Sequence, residues 1–165
     1  MVAIGYQHII CDPDKCMGCR ICEYACSAVK TGAFDPNMSR IRAVRIEPVT
    51  MTAIACRLCA DAPCIIACPQ DALSRSERNG IILVDEDKCD GCGWCIEACD
   101  FGAIVLNPKS KNAEICDLCE DEEGGPPCIQ FCPKEALSLA TPEVLQQRVR
   151  REVVARLFEE LLSED

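Results

Sequence analysis

Apolar positions along this chain come in short bursts separated by polar, Gly- and Pro-bearing stretches, and only the C-terminal segment keeps one period for long. Ile9 and Ile10 form one burst. Residues 80–85 predict a turn at Gly80 followed by a short strand of branched side chains, with its partner expected at residues 103–106 after a helix begun at Cys99. Arg40-Ile41-Arg42 and Arg45-Ile46-Glu47 alternate as a strand with one polar face. Pro69 and Pro133 are each placed to start a short helical turn, followed by Ala72-Leu73 and Ala136-Leu137 as an apolar lid. At the C-terminal end, Thr141 can cap a helix, Pro142 suits its first position and Glu143 suits its positive end. Leu145, Val149, Val153, Val154, Leu157, Phe158, Leu161 and Leu162 then recur at three- and four-residue steps, which predicts an amphipathic helix over residues 141–162.

Cysteine changes this picture. The 165 residues include 17 cysteines, while aromatics are only 4 %. A side-chain core of ordinary density would hold more large residues, so something else is expected to fill the middle. Sixteen of the cysteines form four groups. Cys16, Cys19, Cys22 and Cys26 are spaced C-x2-C-x2-C-x3-C, and Cys89, Cys92, Cys95 and Cys99 repeat that spacing. Cys56, Cys59, Cys64 and Cys68 follow C-x2-C-x4-C-x3-C, and Cys116, Cys119, Cys128 and Cys132 follow C-x2-C-x8-C-x3-C. Three thiolates at short intervals can wrap one compact inorganic core. The fourth, expected to begin a helix, points away toward a neighbouring core, as in the bacterial ferredoxin run.

Shifting the chain by 73 residues lays Asp12, Asp14, Lys15, Cys16, Gly18, Cys19, Cys22 and Cys26 on Asp85, Asp87, Lys88, Cys89, Gly91, Cys92, Cys95 and Cys99. The same shift puts Cys11 on Val84, a strand position, which makes Cys11 a small buried hydrophobe rather than a ligand. Where a proline would be usual after the fourth cysteine, the first and third groups carry Ser27 and Asp100, a departure that touches no ligand.

Charge and context narrow the chemistry. The net charge is −10, which argues against nucleic acid as a partner. No apolar run is long enough to span a bilayer, and the first residues lack the pattern of an export signal, so a cytoplasmic setting is expected. There thiols stay reduced, and an odd count of cysteines fits metal better than a disulfide framework. Structural zinc is the alternative, but zinc sites usually draw on separated pairs or on histidine, and His8 is the only histidine. No phosphate-binding glycine loop, dinucleotide fingerprint or nucleophile–base pair is present, so catalysis by the chain alone is not expected. Trp94 is expected to shield a cluster from water.

With these groups in this order, residues 9–140 resemble the four-cluster ferredoxin-type subunits of multi-subunit oxidoreductases. The resemblance implies an α+β fold of two tandem ferredoxin-like modules plus the C-terminal helix. The outer module would span residues 1–48 with 109–140, the inner 49–108, and the helix 141–165. It implies four [4Fe-4S] clusters. The first would be held by Cys16, Cys19, Cys22 and Cys132; the second by Cys116, Cys119, Cys128 and Cys26. The third would be held by Cys56, Cys59, Cys64 and Cys99; the fourth by Cys89, Cys92, Cys95 and Cys68. Four such clusters add about −8 to the protein's charge and favour low potentials. The implied role is a relay of single electrons between a catalytic subunit and a carrier, with a flavin-containing subunit or a soluble ferredoxin as further partners. A tungsten-containing aldehyde oxidoreductase is the favoured catalytic partner. A hydrogenase, a formate dehydrogenase, a carbon monoxide dehydrogenase or a free-standing polyferredoxin is the alternative.

Two surface readings stay open here. The arginines of residues 40–45 are either a solvated edge or a basic dock, and the acidic run 117–123 either a solvated loop or a steering surface for a basic carrier. The C-terminal helix either packs back on its own domain or clasps another subunit, including a second copy of this chain.

Overall fold

The computed structural model describes residues 6–46 and 50–163, with side chains described through residue 159. The alternating Glu47 lies outside the described residues, as do the side chains of Leu161 and Leu162. In chain order the elements are β1 (His8–Cys11), α1 (Ile21–Thr31), a 3-10 turn (Pro36–Met38), β2 (Arg42–Ile46), β3 (Thr50–Ile54), α2 (Pro63–Ile66) and β4 (Leu73–Arg75). There follow β5 (Ile82–Val84), α3 (Trp94–Glu97), β6 (Val105–Leu106), β7 (Ala113–Glu114), α4 (Pro127–Gln130), β8 (Leu137–Ala140) and α5 (Pro142–Ser163).

Among the described residues, eight strands make four antiparallel two-stranded ribbons: β1 with β8, β2 with β3, β4 with β5 and β6 with β7. A lone two-stranded ribbon is marginal in water. Each is held here by the apolar core it covers. One core gathers Ile9, Ile41, Ala53, Ala55 and Leu137 around Cys22, Cys26, Cys116 and Cys128. The other gathers Leu58, Ala62, Leu73, Ile81, Ile82, Ile104 and Ile115 around Cys95. Cys56 and Leu118 pack against both.

The expected partnership of residues 82–84 with 103–106 does not occur. β5 pairs instead with β4, Leu73 opposite Val84 and Arg75 opposite Ile82. Six residues join the two strands, and Gly80 takes a φ of +74° in the connection while its N–H donates to the Ser76 carbonyl at 3.0 Å. Closing that short loop costs less entropy than reaching a strand twenty residues on. β6 pairs with β7, Val105 opposite Glu114.

α5 is capped as expected, the Val144 N–H donating to Thr141 Oγ1 at 3.4 Å. It does not pack back on the body. Leu145 is half-buried and Arg148 donates to Ser138 Oγ at 3.4 Å, but every other described side chain of the helix is exposed. The expected single apolar face is also absent. Each four-residue step from Leu145 through Val149, Val153 and Leu157 overshoots a full turn by about 40°, so the apolar row winds around the helix. No helix among the described residues is long and apolar enough to cross a membrane.

Candidate functional site

The four cysteine groups are built on one local plan. In each C-x-x-C loop the residue before the second cysteine is left-handed: Gly18 at φ +69°, Leu58 at +50°, Gly91 at +71° and Leu118 at +57°. That backbone turns the two thiols toward the same side of the loop. Glycine takes it without strain, and a leucine there costs about 1–2 kcal/mol. Leu58 is 4 % exposed in the second core and Leu118 packs against both cores, so burial offsets the strain. At Gly18 a Cβ would meet Met51 at 2.9 Å, and at Gly91 the Lys111 carbonyl oxygen at 2.5 Å.

The third cysteine of each group is the second residue of a helix: Cys22 in α1, Cys64 in α2, Cys95 in α3 and Cys128 in α4. The fourth does not begin a helix, contrary to expectation. Cys68, Cys99 and Cys132 follow the last turn of α2, α3 and α4, while Cys26 lies inside α1. Pro69 and Pro133 accordingly stand in turns after a helix rather than at the start of one.

Those turns serve the sulfurs. Asp71, Gly102 and Glu135 are left-handed, and each aims the next N–H back at a cysteine. Ala72 N donates to Cys68 Sγ at 3.3 Å, Ala103 N to Cys99 Sγ at 3.4 Å and Ala136 N to Cys132 Sγ at 3.3 Å. Ala72, Leu73, Ala136 and Leu137 are buried, as the apolar lid required. The first group differs, although Asp100 leaves the third group equally without a proline. α1 continues to Thr31 and stops at Gly32 with φ +70°, Ser27 is fully buried, and its hydroxyl donates to the Tyr24 carbonyl. Cys26 Sγ therefore receives its N–H from Arg40, at 3.3 Å. Cys89 Sγ also receives one, from Ala113 at 3.4 Å.

Sixteen cysteines meet at four cavities. One is lined by Cys16, Cys19, Cys22 and Cys132. Another is lined by Cys26, Cys116, Cys119 and Cys128. A third is lined by Cys56, Cys59, Cys64 and Cys99, and the fourth by Cys68, Cys89, Cys92 and Cys95. Each encloses 300–420 Å³ of atom-free space counted to its open mouth. Cys11 lines none of the four; half-buried, it packs against the first core.

Four sulfurs per cavity make a soft donor set. A single zinc ion would hold four sulfurs about 3.8 Å apart at its usual bond length. Among the described residues no three His, Cys, Asp or Glu side chains are arranged to hold a metal ion. Four thiolates around each cavity are the donor set that iron–sulfur cores take. Acidic groups at the mouths are engaged elsewhere: Asp90 Oδ1 accepts the Cys92 N–H at 3.1 Å, and Asp117 Oδ1 the Cys119 N–H at 3.0 Å. Burial, with neighbouring acids and thiols adding to it, pushes the Cys22 and Cys116 thiols up to about 12, and burial pushes Cys56, Cys95 and Cys119 up to about 11. Without a bound core these thiols are neutral, and binding one must displace their protons.

Several participants were invisible in the linear chain. Arg40 is neither a solvated edge nor a dock. Its guanidinium meets Glu114 Oε2 and Asp117 Oδ2, each at 2.6 Å, and Lys30 Nζ meets Asp117 Oδ2 at 2.8 Å. Asp117 thus leaves the acidic run and lies half-buried at the cavity of Cys26 and Cys116, where the two cations hold its carboxyl below the usual range against the cost of burial. Glu23 is 2 % exposed, accepting from Arg20 Nε at 2.6 Å and Ala43 N at 2.8 Å. His8 is 3 % exposed and lines none of the four cavities. Burial, with Arg57 nearby, lowers its pKa. Trp94 is 63 % exposed and lines none of the four cavities.

Residues 48–141 match the family described as the 4Fe-4S dicluster domain, a stretch that holds the second, third and fourth cysteine groups. Over 158 residues the chain is 42 % identical to the putative electron transport protein YsaA of Escherichia coli, covering 90 % of this chain and 99 % of that one. It is 41 % identical over 137 residues to the polyferredoxin-like subunit of aliphatic sulfonate oxidoreductase from Pyrococcus furiosus, covering 81 % and 77 %. It is 36 % identical over 166 residues to the electron transport protein HydN of Escherichia coli, covering 86 % and 91 %.

Proposed function

The chain belongs to the 4Fe-4S dicluster domain family of electron-transfer iron–sulfur proteins, and on that premise we propose that it relays single electrons through four [4Fe-4S] clusters for a catalytic oxidoreductase subunit. The observation that carries the count of four is the meeting of sixteen cysteines, four at a time, at four cavities. When bound, such a cluster supplies one-electron chemistry at a potential set by its surroundings. The chain's own part is to bind, insulate and tune. Its backbone N–H groups at Cys26, Cys68, Cys89, Cys99 and Cys132 stabilise added negative charge and raise the potential. The buried Ala and Leu residues after Cys68 and Cys132 keep water away.

The exchange of fourth cysteines sets the order. Cys132 and Cys26 cross between the first two cavities, and Cys99 and Cys68 between the other two. The two pairs face each other where Cys56 and Cys116 approach, beside Leu118. Cys19 and Cys92, exposed, mark the two ends. The division proposed is an outer module of residues 1–48 with 109–140 and an inner module of 49–108, with the β2–β3 and β6–β7 ribbons spanning the boundaries between them.

The partner proposed is a catalytic oxidoreductase subunit, in keeping with relatives named as subunits of aliphatic sulfonate oxidoreductase and thiosulfate reductase. A tungsten-containing aldehyde oxidoreductase remains the finer reading, resting on the resemblance alone. A flavin-containing subunit or a soluble ferredoxin would complete the path. The uncovered apolar positions of α5 support its docking on another subunit or on a second copy.

Anaerobic EPR of single Cys→Ser variants tests the ligand sets. Cys26→Ser and Cys119→Ser are expected to alter one and the same signal, and Cys22→Ser and Cys132→Ser a different one. Signals that follow each sequence group intact, with Cys132→Ser matching Cys119→Ser, would refute the exchange.

A further inference from the structure

The two ends of the relay differ in character. At the Cys19 end the exposed side chains are mixed: Met17 and Ile21, Arg20 paired with Glu23 at 2.6 Å, and Lys134 next to Glu135. At the Cys92 end they are acidic and aromatic. Trp94 follows Cys92 by two residues and stands 63 % exposed at the start of α3. Glu97 lies three positions on, on the same side of the helix, and Asp100 is exposed just beyond it. Asp90 is exposed too, fixed against the Cys92 N–H at 3.1 Å and Gln70 at 3.2 Å. α2 packs on α3 and adds Ile66, 79 % exposed. Of the lysines beside it, Lys88 is paired with Asp85 at 2.8 Å, and Lys111, exposed, lies against Gly91.

An exposed indole two residues from the exposed cysteine of a terminal cavity, with exposed carboxylates before and after it in the chain, offers the parts of an interface: an apolar anchor and charged neighbours. We propose that the Cys92 end is the docking site for a basic redox protein, whose cationic face meets Asp90, Glu97 and Asp100 and whose apolar contact takes Trp94. The carboxylates grouped with Trp94 at this end steer the encounter with a cationic surface. One electron then leaves the reduced terminal cluster, which is oxidised, and reduces the partner's one-electron acceptor. The inference rests on the four-cluster reading.

The test uses the anaerobically purified full-length holoprotein with horse heart cytochrome c, a small basic haem protein, as the probe. The dissociation constant is measured by calorimetry at several salt concentrations, and the rate of haem reduction by stopped flow. Glu97→Lys with Asp100→Lys is expected to weaken binding at low salt at least tenfold. Trp94→Ala is expected to weaken it severalfold at low and high salt alike, because an apolar contact is not screened. Phe34→Ala, an exposed aromatic elsewhere, and Glu152→Lys, an exposed acid on α5, are expected to leave binding within twofold. Iron content is measured for every variant; a wild-type holoprotein lacking four clusters would sink the relay reading itself, independently of the docking result. Unchanged binding in the Trp94 and Glu97 variants would overturn the docking site. So would a larger loss from Glu122→Lys with Glu123→Lys, which would move the site to the acidic loop.

Discussion

Arg40 offers the sharpest test of how the fold holds its two ends together. Its side chain, 22 % exposed, ties the loop after α1 to Glu114 and Asp117, residues 74 and 77 positions further on, while its N–H serves Cys26 Sγ. Arg40→Met keeps the stem and the N–H but removes the guanidinium. Breaking a fully buried ion pair costs about 3–5 kcal/mol, and breaking an exposed one costs about 0–1 kcal/mol. Glu114 is 16 % exposed and Asp117 24 %, which places the loss between these limits. Neither carboxylate is fully orphaned: Asp117 keeps Lys30 at 2.8 Å, and Glu114 keeps Asn107 Nδ2 at 3.1 Å. The expected cost is about 2 kcal/mol, or about 4–8 °C in melting temperature for a chain of this size. Anaerobic melting followed by visible absorbance and far-UV circular dichroism measures it. Asp117→Asn in the Arg40→Met background should cost about 1 kcal/mol less than in the wild type, because the lost partner is shared. A variant that melts within 1 °C of wild type, or strictly additive losses, would refute the reasoning.

Other expectations follow from single positions. Gly91→Ala places a Cβ 2.5 Å from the Lys111 carbonyl oxygen at φ +71°, whereas Gly93→Ala, also left-handed at φ +83°, meets nothing within 4 Å. The first should lose about a quarter of the iron after anaerobic reconstitution and the second much less; equal iron in both would refute the crowding argument. The cluster-free protein should unfold as pH rises, because Cys56, Cys95 and Cys119 titrate near 11 when folded against an ordinary value of 9.0. The unfolded chain releases those protons first, so stability present below pH 9 is lost between about pH 9 and 11, as circular dichroism will show. The holoprotein, whose thiolates are already deprotonated, should instead fail on the acid side. Cys11→Ala should keep full iron and sulfide content; loss of one cluster's worth would make Cys11 a ligand.

Much of the site was legible in the sequence, because cysteine spacing reports ligand geometry directly. The 73-residue repeat also placed Cys11 on a strand, where β1 pairs it with Leu137. What escaped detection shares a physical cause. Strands of two or three residues, such as β4 and β6, are too short for a period-2 pattern to identify their partners. Leu58 and Leu118 hold left-handed backbone that only glycine normally advertises, and it is burial at the cores that allows it. The Arg40–Asp117–Lys30 network joins residues far apart in the chain, where charge patterning sees only a basic stretch and an acidic one. Ser27 looked neutral, yet it is fully buried in an α1 that runs on past Cys26, and it is Arg40 that supplies the N–H to that sulfur. Steps of three and four along α5 implied one apolar face, but an unbroken run of fours winds off it.

The central claim is the four-cluster relay, and anaerobic iron, acid-labile sulfide and zinc analysis followed by reductive EPR titration tests it most directly. The account predicts about sixteen iron and sixteen sulfide per chain, with magnetically coupled signals on reduction. Zinc near four per chain with no sulfide would contradict it and leave a redox-silent scaffold.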